Sequence, residues 1–448
     1  MHRLHFGDNL TFMQDMADES VDLIYLDPPF NSKKVYNVIV ANGQAKAFDD
    51  TWSWDSSDMR LYERLVKRGN SISKWTEGML KIIGSCGMLS YLYFMAERLI
   101  ECRRLLKETG SIYLHCDKFA VHHLRSLMDA IFGADNFRNE VIWAYTGPGS
   151  PGMRQFNRKH DNILWYSIGK AWTFNKDEVR IPHADGGPHA GGFKGGKSNI
   201  DDPKYIVKGK IPEDWWTGIG IAPRSSIEYT GYQTQKPQRL LERIIKASSN
   251  PGDVVFDPFC GSGTTVVVAA KLGRVGIGCD LTFMAIDIAE RRLQEAGFEV
   301  EISGEPHTFK QAEALAMRDK FQFQAWVLNV LEVNKVKQKT AKKGKDSGID
   351  GVLVDVLKDG EVYKTIISVK GGRNHLAHVR DLIGTVTKER AQRGVLACLY
   401  KPTKDMIKTA SMAGIGEQDE EKCVIICVPE LIEGKRIPAL RDVQSEGD

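Results

Sequence analysis

The chain has 448 residues, of which 42% are hydrophobic and 27% charged, a composition of soluble globular proteins in a chain too long for one ordinary core. Two domains are expected. Its 61 Lys and Arg against 58 Asp and Glu leave a net charge of only +3, so any nucleic-acid contact has to rest on local basic patches. Eight cysteines lie scattered without a repeated CxxC frame; they disfavour a zinc ribbon or a disulfide scaffold and fit a reduced cytoplasm. The opening MHRLHFGDNL lacks a basic and then apolar leader, and no apolar run approaches the roughly 18 residues of a membrane span. Secretion and membrane insertion are not expected.

In chain order, short apolar runs such as VDLIYLDPPF, SIYLHCD, DVVFDPFCGSG and VGIGCD alternate with longer amphipathic stretches. That pattern predicts a parallel sheet covered by helices. The run Val21 to Leu26 delivers Asp27, Pro28, Pro29 and Phe30 to its carboxyl end, where open parallel sheets hold their ligands. The two prolines remove backbone donors and leave local carbonyls free to accept. Asp27 and the Pro28 carbonyl suit the two hydrogens of an amino group on a planar ring, with Phe30 stacked on its face. Between about 145 and 230 the pattern gives way to Gly-rich, aromatic-rich sequence, with six glycines between Asp185 and Lys197. An inserted, loop-rich module is expected there.

Asp253 to Phe256 reads as a strand that runs through Asp257, Pro258, Phe259 and Cys260 into Gly261, Ser262, Gly263, Thr264 and Thr265, followed by a small-residue helix. Glycines let the backbone approach a ligand, and a helix start offers free amides. No Gly-Lys-Ser/Thr follows, so this is not a Walker loop. A second strand ends in Asp280, about 20 residues on, where a carboxylate can hold the two hydroxyls of a ribose. An adenosine cofactor without a pyrophosphate bridge fits, S-adenosylmethionine among such molecules.

The order DPPFN, loop-rich insert, TQKP, DPFCGSGTT, GCD resembles the amino-group DNA methyltransferases of permuted, beta-class order, over nearly all of residues 1 to 300. The resemblance implies a Rossmann-like methyltransferase sheet over 1–303, with the target-recognition insert at about 145–230. Asp27, Pro28, Pro29 and Phe30 then take the catalytic positions, and Asp257, Phe259, Gly261, Gly263 and Thr264 the cofactor loop, with Asp280 on the ribose. Gln235, Lys236 and Pro237 match the QKP segment, which places Lys236 by the cofactor carboxylate, and Asp8 is similar to an acidic position near the adenine end. A target base swung out of duplex DNA is also implied. Aspartate at the head of the motif points to the adenine 6-amine, with the 4-amine of cytosine as the alternative.

Residues 141 to 200 carry eight Lys or Arg against four Asp or Glu, with eight aromatics interleaved. These suit phosphate clamping and base wedging, with Arg154, Arg158 and Lys159 as the leading DNA contacts. Past about 304 the composition changes again. A helical stretch and a run of six lysines between 335 and 345 lead to Gly348, Ile349, Asp350 and Gly351. A later strand ends in Ser368, Val369 and Lys370. An acid on one strand and acid-x-Lys on the next is how a metal-dependent nuclease gathers Mg²⁺. Over roughly 315 to 432 this is similar to the Mrr-type restriction-endonuclease fold, here with Ser368 where that family carries an acid or Gln. Asp350 and Lys370 remain the metal-site candidates, Glu332 or Asp355 a substitute ligand, and Mg²⁺ is implied only for an active nuclease. The expectation is an α/β adenine-specific DNA methyltransferase, cytoplasmic, with a nuclease-like domain over 304–448, in a restriction-modification or marking system. Double-stranded DNA is the expected partner, and a homodimer or a restriction subunit is compatible. A bifunctional endonuclease and a non-catalytic DNA-binding module are the rivals.

Overall fold

A sheet of nine strands organises the larger of two units in the computed structural model. The structure describes residues 1–30, 35–40, 43–49, 51–147, 154–181, 209–221, 228–232, 234–331, 348–358 and 360–440, with 35–40 and 43–49 as backbone only. The larger unit comprises Met1–Val38 and Lys46–Ser303, the smaller Ile39–Ala45 and Gly304–Asp448.

The chain runs through β1 (His2–Phe6), α1 (Asn9–Gln14), β2 (Val21–Leu26), β3 (Val35–Val40), β4 (Gly43–Asp49), α2 (Ser56–Val66), α3 (Ser71–Ile83) and α4 (Gly87–Leu105). Next come β5 (Leu106–Cys116), α5 (Val121–Phe132), β6 (Phe137–Ala144), β7 (His160–Ser167) and β8 (Trp215–Trp216). Then follow α6 (Gln238–Ser248), β9 (Val254–Asp257), α7 (Thr264–Lys271), β10 (Val275–Asp280), α8 (Phe283–Glu295) and β11 (Val300–Ser303). The large sheet has the order β11-β1-β10-β9-β2-β5-β7-β6-β8, while β3 and β4 form their own two-stranded sheet. From β11 to β5 neighbouring strands are parallel, and β7 then runs antiparallel to both β5 and β6.

The apolar run Leu23–Leu26 of β2 is explained by burial on both faces. Val21, Ile24 and Leu26 pack into one core with α4 and α5, whereas Leu23 and Tyr25 join another core with α6. Helix α6 contributes Leu240, Leu241, Ile244 and Ile245, a helical stripe turned entirely to that core. The chain moves outward from β9 through β10 in one direction and from β2 to β5 in the other. Strand order therefore reverses between β2 and β9, a topological switch point that opens a crevice at their carboxyl ends.

The expectation of a parallel sheet layered with helices agrees with this architecture. The interleaved aromatics of 141 to 200 are different in character. Trp143, Trp165 and Tyr166 lie on β6 and β7 and are buried in the core, so they do not face nucleic acid. Antiparallel pairing of β7 on β5 turns them inward, and long-range pairing of this kind leaves little trace in local composition. Phe156 is exposed; Phe193 and the six glycines of 185–197 lie outside the described residues.

In the smaller unit, α9 (Phe309–Arg318) and α10 (Lys320–Val330) precede β12 (Gly351–Val356), β13 (Val362–Lys370), α11 (Leu376–Lys388), β14 (Arg393–Cys398), α12 (Lys404–Ser411), β15 (Cys423–Cys427) and α13 (Val428–Ile432). Its sheet has the order β12-β13-β14-β15, antiparallel in the first pair and parallel after it.

Trp165 stacks on Tyr113 at 5.3 Å and donates through Nε1 to Ser111. Trp165→Ala should therefore cost about 3–5 kcal/mol in urea unfolding. Phe156→Ala, at a site 96% exposed, should stay within about 0.5 kcal/mol of the parent.

Candidate active site

Ile24 of β2 lies beside Phe256 of β9 in parallel register, so Asp27 and the glycine loop leave the sheet as neighbours. Asp27 Oδ2 accepts from Lys236 Nζ, and the two side chains are 14% and 12% exposed. Asp27 Oδ1 is buried and has no hydrogen-bond partner among the described residues. A buried carboxylate oxygen without a donor is costly, so this atom is an acceptor that no donor among the described residues satisfies. Pro28 and Pro29 follow with no N–H of their own to compete for it. The Phe30 ring then covers the His115 ring at 6.0 Å and 29°.

Lys236 is set in place by its neighbours. Gln235 Oε1 accepts from the Thr230 amide and hydroxyl, and Gln235 Nε2 donates to the Glu228 carbonyl. Pro237 occupies the N-cap position of α6 without a side-chain cap, and the buried stripe of that helix ties the QKP segment to the core. Lys236 thus directs its charge to Asp27 in this structure, at the head of the DPPF segment.

The glycine loop is fixed from both sides. Asp257 Oδ1 accepts from the Phe259 amide at 3.0 Å and Oδ2 from Thr265 Oγ1 at 2.5 Å. Burial pushes this carboxyl up to about 7, against the lowering effect of those two bonds. Gly261 and Gly263 have φ of 48° and 75°, the left-handed region that glycine enters freely. A Cβ on Gly263 would lie 2.5 Å from the Ala289 Cβ of α8. Thr264 opens α7, whose first turn carries no side-chain cap, so amides there stay available to a ligand. Arg292 reaches back to the Ser262 carbonyl and to Thr264 Oγ1.

Asp280, at the end of β10, accepts from the Gly261 amide through Oδ2 at 3.0 Å and from Thr282 through Oδ1 at 2.8 Å. Burial holds its carboxyl above the usual range, with those bonds opposing. A carboxylate offers about four lone-pair sites, so acceptor capacity remains for a diol. Asp8 caps α1 through its Oδ1 and pairs with the buried Arg98 through Oδ2 at 2.9 Å. Arg98 also donates to Asn9, which donates to the Pro258 carbonyl at 2.7 Å. Asp8 therefore joins the glycine loop through a polar chain. Phe259 packs against Phe94 at 6.4 Å.

Four residues here escape motif reasoning. His115 donates or accepts at both ring nitrogens, toward Tyr25 at 3.0 Å and Asp161 at 3.1 Å, and Tyr145 donates to the other Asp161 oxygen at 3.3 Å. The one available signal is register. Leu26 lies beside Leu114, so the residue after it faces Asp27.

Arg154 and Arg158 are exposed and Lys159 half-buried, on the segment entering β7. Because Asn162 lies opposite Cys116 in antiparallel register, this segment sits at the sheet end from which Asp27 emerges. The Arg158 guanidinium lies 5.8 Å from the exposed Phe119 ring.

In the smaller unit Asp350, Ser368 and Lys370 come together. Asp350 Oδ2 accepts from the Val369 amide at 2.7 Å and from Ser368 Oγ at 3.3 Å, with Lys370 Nζ at 3.7 Å. Asp355 does not serve as a substitute ligand. Gly351 lies opposite Ile367 and Asp355 opposite Tyr363, so strand alternation puts Asp355 on the other face from Ser368 and Lys370. Glu332 and the lysine run lie outside the described residues. Among the described residues no three His, Cys, Asp or Glu side chains gather to hold a metal, and one carboxylate does not fit a Mg²⁺ site.

Two consequences are measurable. Gly263→Ala should cost about 1–3 kcal/mol by urea unfolding, from φ strain and the Ala289 contact together. Asp257 keeps its proton up to about 7 when folded but ionises near 3.8 when unfolded. Between those values the native state holds the extra proton, so its contribution to stability falls as pH rises and levels off above about 7. Asp257→Asn should flatten that decline when unfolding free energies at about pH 5 and about pH 7.5 are compared.

Residues 21–291 match the family model described as DNA methylase, of the N6/N4 amino type. Residues 315–421 match a model of the Mrr catalytic domain, described as restriction endonuclease. The Type II methyltransferase M.HpaI of Haemophilus parainfluenzae is 28% identical over 302 residues, 65% of this chain and 74% of its own length. DNA adenine methyltransferase YhdJ of Escherichia coli K12 is 28% identical over 291 residues, 65% of this chain and 82% of its own. Among solved structures, TTHA0409 of Thermus thermophilus, in complex with S-adenosyl-L-methionine, is 20% identical with a TM-score of 0.39. That alignment covers 68% of this chain and 100% of that one. With the methylase model spanning more than half of its length, this chain belongs to the N6/N4 DNA methylase family.

Proposed function

We propose that the chain transfers a methyl group from S-adenosylmethionine to the N6 amine of an adenine swung out of duplex DNA. The observation that carries this is the Asp27 oxygen, buried without a partner beside Phe30 at the switch point of the sheet. Residues on the far side of the crevice fit the cofactor: Gly261 and Gly263 for close approach, Asp280 for the ribose hydroxyls, and the uncapped start of α7. When bound, S-adenosylmethionine supplies an electrophilic methyl group on a positively charged sulfur.

The chain's own residues do the rest. Asp27 Oδ1 and the Pro28 carbonyl accept the two amine hydrogens, which localises the nitrogen lone pair that the ring otherwise withdraws. Phe30 stacks on the extruded ring and takes the place of the bases that flanked it in the duplex. Lys236 holds the other oxygen of Asp27, so the carboxylate cannot rotate its free atom away. Aspartate at the head of the motif favours adenine, as does the name of the YhdJ relative. The Arg154–Lys159 segment is placed to take phosphates beside the crevice.

For the smaller unit the reading is DNA docking without cleavage, because Asp350 is the one carboxylate placed there among the described residues, with Ser368 in the second acid's place. Restriction-modification or genome marking is the setting, with double-stranded DNA as partner; a dimer or a restriction subunit is compatible with it.

Asp27→Ala should lower methyl transfer to DNA by about 100-fold or more while calorimetric S-adenosylmethionine binding stays within about threefold. Nucleoside digestion of the product should yield N6-methyladenine; N4-methylcytosine in its place would overturn the choice of base. Supercoiled plasmid incubated with the full chain and Mg²⁺ should stay unnicked, and Lys370→Ala should behave like the parent.

A further inference from the structure

Beneath Phe30 lies a run of buried and half-buried polar side chains that the methylase motifs do not account for. The His115 ring is wholly buried, yet both of its nitrogens are engaged, one by the Tyr25 hydroxyl and one by Asp161. Burial and the charges of Asp27, Asp257 and Asp161 push the Tyr25 phenol well up, so it keeps its proton. Donating that proton to Nδ1 leaves Nε2–H for the Asp161 carboxylate, which satisfies every member. Burial raises the Asp161 carboxyl, but the His115 hydrogen bond, the charge of Lys236 and the Tyr145 bond outweigh it and hold it low. Trp143 meets the imidazole edge-on at 5.8 Å and 81°, which closes its remaining side.

An apolar filling would serve packing alone at lower desolvation cost. Here the polar groups instead fix one ring at one angle, and that ring underlies the face of Phe30 at 6.0 Å. We infer that His115, oriented by Asp161 with Tyr25 and Tyr145, is a positioning residue that sets the plane of Phe30 for stacking on the extrahelical base. This rests on the methylase reading of Asp27 and Phe30. Neither His115 nor Asp161 touches the reacting atoms; they act through the ring above them.

The test uses the full chain and a duplex carrying its own target site, first identified by single-molecule sequencing of DNA from cells expressing the parent protein. In Asp161→Ala, kcat should fall about tenfold or more, as for a misplaced reacting partner, with the KM for S-adenosylmethionine nearly unchanged. With 2-aminopurine in place of the target base, the fluorescence rise on binding should be reduced. Asp161→Asn retains acceptor and shape for His115 and should recover most of both signals, and His115→Ala should match Asp161→Ala. Circular-dichroism melting separates a positioning effect from unfolding. Parent-like kcat and fluorescence in a folded Asp161→Ala would overturn the inference, as would equal losses in Asp161→Ala and Asp161→Asn that follow lost folded protein alone. A parent protein that methylates no DNA would overturn the methylase reading instead.

Discussion

The structure depends on the parallel pairing of β2 with β9. Those strands are more than 200 residues apart in the chain, yet Leu23 lies beside Val255 and Ile24 beside Phe256. Their two turns, one ending in Phe30 and the other containing Gly261, therefore leave the sheet at one end. Burial holds the pairing, because Leu23 and Val255 share one core while Ile24 and Phe256 share the other. A register slip of one residue would turn every such side chain to the opposite face. The geometry of the crevice is thus fixed by apolar packing well below it, and its polar residues are free to be chosen for chemistry.

That separation of duties explains what the sequence reveals and what it conceals. Backbone-driven features are legible: two prolines after an apolar run, glycines where φ is positive, an acid at the end of the next strand. Each has local physics, since proline removes a donor and glycine alone enters the left-handed region without strain. His115 and Asp161 have no local signature. They meet because β5 pairs in parallel with β2 and antiparallel with β7, and two single residues 46 positions apart carry no spacing rule. Trp143, Trp165 and Tyr166 mislead in the other direction. Their richness beside Arg and Lys looks like a nucleic-acid surface, but strand pairing turns them into the core.

Lys236 shows how placement adds a second partner to a role inferred from resemblance. A lysine next to the cofactor half of the chain suits a cofactor carboxylate, and its ammonium here belongs to Asp27. The pairing has its own logic. Without it, both oxygens of a largely buried carboxylate would lack donors, at a cost of several kcal/mol for an ion removed from water. Pairing one oxygen compensates the charge and fixes the orientation of the group, and leaves the other oxygen as the single unsatisfied acceptor of the Asp27 side chain.

The smaller unit gives the contrasting case, in which a motif survives in outline with a serine in place of one of its acids. Asp350 and Lys370 keep their places across the β12–β13 pair. Ser368 keeps the face of the missing ligand but not its charge. A serine hydroxyl donates to Asp350 and so occupies acceptor capacity that a divalent cation would need. Alternation along β12 decides whether a neighbour can compensate. Asp355 is five residues from Asp350, an odd step that sends its carboxylate through the sheet to the side of Tyr363 and Arg393. Loss of one ligand at a strand position is therefore not repaired by another acid nearby in sequence, because only even steps share a face. In the methylase unit the acids need no such repair. Asp27, Asp257 and Asp280 each stand at the carboxyl end of a different strand, and parallel pairing of β2, β9 and β10 brings all three to one end of the sheet.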